Sequence, residues 1–141
     1  MGSKIIGGSA ISAADPLDVR ESPALPEAED AQTTTGAAAA ITATLAAVAG
    51  KRTFIAGFAV DGLGATAASV IEITVTGVLG GTMRYKLTIP AGATVALADP
   101  IRVEFARPIP ASADNTAIVV NVPSFGAGNT SAIASAHGFN R

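Results

Sequence analysis

From Thr53 onward the apolar and polar positions of this chain alternate with the period of a half-buried strand. Phe54, Ala56, Phe58 and Val60 fall on one face, and further on Ile71, Ile73 and Val75 alternate with Glu72, Thr74 and Thr76. Glycine and proline punctuate the pattern. Asp61-Gly62-Leu63-Gly64 closes one strand, Leu79-Gly80-Gly81 opens another over Met83–Ile89, and Pro90-Ala91-Gly92-Ala93 ends it. In that strand Arg84 and Lys86 share a face and Tyr85 takes the other. Val95 and Leu97 precede Asp99-Pro100. Ile101, Val103 and Phe105 then alternate with Arg102 and Glu104 until Pro108 and Pro110 break the run. Residues 117–122 read as a nearly continuous buried strand, and 133–139 as a last short one. Residues 37–50 fit two periods: Ile41, Leu45 and Val48 suit a helix, whereas Ile41, Ala43, Leu45 and Ala47 suit a strand. Seven or eight short strands, with no helix after residue 50, predict an all-β fold, an antiparallel β-sandwich or jelly-roll-like body over residues 37–141.

Residues 1–36 follow another rule. Pro16, Pro23 and Pro26 with no hydrophobic period forbid a continuous helix or central strand and favour an extended path. Six acids against two bases give this segment −4, while seven bases against five acids give the remainder +2. The segment reads as an extended acidic arm, either a disordered leader or a segment ordered mainly by contact with partner subunits. Its partner-binding anchors would be Ile5, Ile6, Ile11, Leu17, Val19 and Leu25.

Composition narrows the chemistry. Apolar residues make up 49% of the chain, yet there are only five Phe, one Tyr and no Trp, so a monomer has few large side chains to bury and burial between subunits would help. Zero cysteines exclude disulfides and thiolate chemistry, and a single histidine excludes multi-histidine metal sites. His137 has no serine elbow or acidic partner at a recognisable spacing and reads as a surface or interface residue. Gly62-x-Gly64-x-x-Ala67 loosely fits a dinucleotide fingerprint, but a predicted strand follows where a helix is needed, so a glycine turn is expected. Neither an enzyme nor a cofactor is expected. Asn129-Thr130-Ser131 is a glycosylation sequon by pattern, but the start MGSKIIGGSAISAAD is a poor export signal, so the sequon reads as a polar turn in a soluble, unexported chain. A net charge of −2 removes the basic footprint of a nucleic-acid or anionic-membrane binder, and no run of about 20 apolar residues spans a bilayer. The Arg84/Lys86 and Arg102/Glu104 faces suit solvated strands or cross-strand pairs at a subunit contact.

Several motifs carry a resemblance. These are Ala49-Gly50-Lys51-Arg52-Thr53-Phe54-Ile55-Ala56-Gly57-Phe58, Thr76-Gly77-Val78-Leu79-Gly80-Gly81-Thr82, Pro90-Ala91-Gly92-Ala93-Thr94, and Val103-Glu104-Phe105 through Pro108-Ile109-Pro110-Ala111-Ser112, with Asn115-Thr116 and Gly126-Ala127-Gly128-Asn129-Thr130. Over residues 41–139 the chain resembles small β-sandwich structural proteins of tailed-bacteriophage virions, of the decoration or head-fibre type. The resemblance implies a non-enzymatic virion protein, made in the host bacterial cytoplasm and displayed on the capsid surface. Its partners would be itself, as a trimer, and the major capsid protein or another virion protein. Capsid decoration or cementing is the leading expectation. A head-fibre, collar or tail component is the alternative, and a carbohydrate- or receptor-binding module is another, disfavoured by the scarcity of aromatic residues.

Overall fold

In the computed structural model the alternation becomes eight strands: β1 (Glu29–Gly36), β2 (Ile41–Leu45), β3 (Thr53–Leu63), β4 (Ser69–Thr76), β5 (Met83–Ile89), β6 (Ile101–Pro110), β7 (Ile118–Val122) and β8 (Ser131–Asn140). The structure describes residues 29–36, 39–63, 66–89, 101–128 and 131–141. Residues 90–100, with Val95 and Leu97, therefore lie outside the described residues.

All pairings are antiparallel, and the strands form two four-stranded sheets, ordered β1-β8-β3-β6 and β2-β7-β4-β5. Each strand pairs with the one that mirrors it in the sequence: β4 with β5, β3 with β6, β2 with β7 and β1 with β8. A folded ribbon whose successive pairs alternate between two sheets is a jelly roll, the sandwich expected from the sequence. Residues 37–50 resolve as a strand at Ile41–Leu45. β7 takes the opposite edge of Ile41–Leu45 to the solvent side, which leaves β2 at the edge of its sheet.

The core lies between the sheets. Ile41, Ala43 and Leu45 of β2, Ile71, Ile73 and Val75 of β4, and Ile118, Val120 and Val122 of β7 face Ile55, Phe58 and Val60 of β3 and three alanines of β8, Ala132, Ala134 and Ala136. Burying each branched side chain contributes about 1.5–3 kcal/mol. The small β8 residues let β2 approach β8 closely, whereas β5 and β6 do not approach each other comparably. There Phe58 meets Tyr85 edge-on at 5.2 Å between ring centroids and Phe105 at 6.4 Å. The sandwich is thus a wedge, narrow along β1 and β2 and wide along β5 and β6.

Several expectations change. β3 does not keep Phe54, Ala56, Phe58 and Val60 on one face, because its register shifts between Ile55 and Gly57. A β-bulge at Ala56 reverses the alternation, so Thr53 and Ile55 point inward with Phe58 and Val60, and Phe54 turns outward to stack on Phe139 at 5.0 Å. Pro108 does not end the strand, whereas Pro110 is its last residue. β6 runs through Pro108 because it is the edge of its sheet, where a missing N–H costs no ladder bond. Residues 118–122 alternate between buried and half-buried positions and are not buried on both faces. The last strand is longer than expected, ten residues with its even-numbered positions turned inward.

Within the segment read as an arm, Glu29–Gly36 pair with β8 as an edge strand of the body sheet. Residues 1–28, including Ile5, Ile6, Ile11, Leu17, Val19 and Leu25, lie outside the described residues.

Candidate functional site

The outward row across β8, β3 and β6 holds His137, Gly57 and Glu104 as register neighbours. His137 Nε2 lies 3.1 Å from Glu104 Oε2, with the two side chains 37% and 53% exposed. The contact spans the width of β3 because Gly57 has no side chain. A Cβ there would stand 2.5 Å from Glu104 Oε2 and 2.6 Å from the Val103 carbonyl oxygen. His137 thus has an acidic partner that no recognisable spacing in the sequence announces. The partner sits two strands away in the sheet and far away in sequence, which no local spacing could reveal. Among the described residues, no group of three or more His, Cys, Asp or Glu side chains converges to hold a metal ion.

On the other sheet Arg84 and Lys86 point outward and Tyr85 inward, as the alternation predicts. Lys86 is the register partner of Glu72, but the Glu72 carboxylate accepts from Arg84 Nη1, one position along β5 on the same face. Tyr85 hydroxyl donates weakly to Met83 Sδ at 3.8 Å.

Three of the segments behind the sequence resemblance, around Gly50–Thr53, Gly77–Leu79 and Pro110–Asn115, meet at one end of the sandwich. Ala111 N donates to Thr53 O at 2.7 Å, Ser112 N to Gly77 O at 2.8 Å and Leu79 N to Pro110 O at 2.8 Å. Asn115, in the left-handed region at φ 57°, accepts from Gly50 N through Oδ1 at 2.6 Å and donates its own N–H to Lys51 O at 2.9 Å. Arg52 Nε pairs with Asp114 Oδ1 at 2.9 Å. These residues hold loops together. At the opposite end Gly62, the first glycine of the loose dinucleotide pattern, lies within β3, and the Phe125 ring occupies the space a side chain would need. Strand β4 follows, so no helix N-terminus is offered to a phosphate.

One surface stands out by burial. Met83, Tyr85, Ile101, Val103, Phe105 and Ile109 pack on the core but stay only partly buried, and all six belong to β5 or β6. By contrast, the inward residues of β2, the opposite edge of the sheet that ends in β5, are buried. Alternation in the sequence puts Ile101, Val103 and Phe105 on one face of their strand and Tyr85 opposite Arg84 and Lys86. That the six residues belong to the two strands at one edge of the sandwich follows only from the strand order. Comparison of the chain with protein families, curated proteins and solved structures finds no match.

Proposed function

We propose that this chain is a non-enzymatic structural protein of a tailed-bacteriophage virion, a decoration or cement protein that binds the assembled shell as an oligomer, a trimer on the strength of the resemblance. The observation that carries a binding role is the partly buried apolar row on β5 and β6, since contiguous apolar surface rimmed by polar groups marks an interaction site. The virion setting rests on the sequence resemblance, and the jelly roll is compatible with it while hosting many other functions. The acidic N-terminal segment would serve as the attachment arm, gaining from avidity over a repeating lattice.

Stripped and redecorated particles provide the test. A cement binds the assembled shell and not its dissociated parts, which stabilises the assembled state by mass action, about 2.7 kcal/mol per site at a hundredfold excess over the dissociation constant. DNA escape, followed by dye fluorescence on heating, should occur at a higher temperature in decorated particles. An unchanged release temperature at full occupancy would exclude cementing and leave a fibre, collar or tail role.

A further inference from the structure

Three loops, over residues 46–52, 77–82 and 111–117, close the end of the sandwich at which Asn115 meets Gly50. Their exposed residues, 46–50, 79–82 and 112–115, include a single charged side chain, Asp114. Exposed loops ordinarily carry charge, so this end has the composition of an interface centre, where charged residues are depleted. Val48 and Leu79 stand out of it at 39% and 58% exposure, two of the four exposed large hydrophobics among the described residues. Lys51 N donates to Val48 O at 3.0 Å and Gly81 N to Val78 O at 3.2 Å, which closes the turns that present them. Together with the bonds of Asn115, Ala111, Ser112 and Leu79, these hold the loops in one shape, so little freedom is lost on docking.

The path of the chain says what covers this end. Strand β1 begins here: Glu29 is the register partner of Phe139, two residues before Arg141, which exchanges backbone hydrogen bonds with Arg52. Residues 1–28 therefore join the body at the same end. The apolar row of β5 and β6 also runs up to it, since Leu79 N bonds to Pro110 O beside Ile109, and Met83 follows Leu79 by four residues. We infer that this loop end is the face set against the shell, seated on an apolar protein surface through Val48 and Leu79, while the N-terminal segment engages the same partner. Four strands about 4.8 Å apart and two sheets about 10 Å apart give the end roughly 400 Å². That is about half of what one side of a standard interface buries, so the loops dock jointly with the segment. Because both belong to one chain, the second contact is intramolecular once the first has formed.

The inference rests on the proposed shell binding and adds to it a surface and an orientation. The full chain and stripped particles test it. The chain has no cysteine, so Leu79→Cys and Val70→Cys each supply a single thiol for an environment-sensitive dye. Val70 is the matched control, 64% exposed and near the far end of β4. On addition of particles the dye at Leu79 should shift to the blue and the dye at Val70 should not. Val48→Lys with Leu79→Lys should weaken co-sedimentation with the particles by about tenfold or more, because two charges would enter an apolar contact. Val70→Lys should leave it unchanged. A wild-type chain that does not sediment with the particles would overturn the shell reading, and this orientation with it. Binding that survives the double substitution, or a shift at Val70 in place of Leu79, would overturn the orientation and leave the shell reading standing. A shift at Leu79 in the absence of particles would assign this end to self-association and overturn the inference as well. Should the double variant not fold, the two dye positions decide.

Discussion

Glu104 reaches His137 across the full width of β3, Oε2 to Nε2 at 3.1 Å, over the bare backbone of Gly57. Three strands thus contribute one side chain, one absence and one side chain to a single contact. Gly57→Ala would place a Cβ against both the Glu104 carboxylate and the Val103 carbonyl oxygen. The carboxylate can swing away, but the backbone oxygen cannot do so without moving β6. A loss of about 1–3 kcal/mol in chemical denaturation is expected.

The pair itself is worth less. Both groups are well exposed, so a double-mutant cycle of His137→Ala and Glu104→Ala should give a coupling of about 0.2–1 kcal/mol, smaller at high salt.

This region shows where the sequence is legible and where it is not. Alternation in residues 71–75 and 83–89 identifies which side chains point inward, because those strands are regular. In β3 the same rule fails at Ala56. There five steps of β6, from Glu104 to Ile109, run opposite two steps of β3, from Gly57 to Ile55, and the mismatch is resolved by a bulge. A bulge answers to the partner strand, not to its own residues, so Phe54 reads as core and lies outside. Pro108 of β6 misleads for a similar reason, since only the strand order tells an edge from an interior. Loops are legible as turns, but not that Asn115 and Gly50, 65 residues apart, close on each other. The proposed arm anchors Ile5 to Leu25 fall outside the described residues.

Gly62 and Phe125 should behave as one unit. Gly62→Ala would put a Cβ 1.8 Å from Phe125 Cε2, while Phe125 is only 1% exposed and cannot simply leave. The substitution should cost about 1–3 kcal/mol, and Phe125→Ala about 3–5 kcal/mol. The double variant should lose less than their sum, because the cavity left by the ring admits the new methyl. Strict additivity in denaturant titrations would show that the ring does not pack on Gly62.

Thr53 is the buried polar tie at the other end of β3. Its hydroxyl lies 2.9 Å from Asn140 Oδ1 and 3.3 Å from the Ala46 carbonyl oxygen. Thr53→Val keeps the shape and removes the donor from a buried acceptor, so a loss of about 1–3 kcal/mol is expected. Thr53→Ser, which keeps the hydroxyl, should lose less.

Asn115 combines a left-handed backbone with an acceptor for Gly50 N. Asn115→Ala should lose about 1–2 kcal/mol from backbone strain and roughly 1 kcal/mol more from the hydrogen bond. Asn115→Gly removes only the second contribution. Thermal melts of the two variants therefore separate conformation from bonding, and equal losses would contradict the separation.

The central claim is that this jelly roll is a shell-binding virion protein. Electron microscopy of particles that carry it tests this most directly. The account predicts sandwich-shaped density on the outer capsid surface, repeated with the lattice, with the acidic N-terminal segment running onto the shell subunits. Density confined to the tail, collar or a fibre, or particles that contain none of the chain, would contradict it.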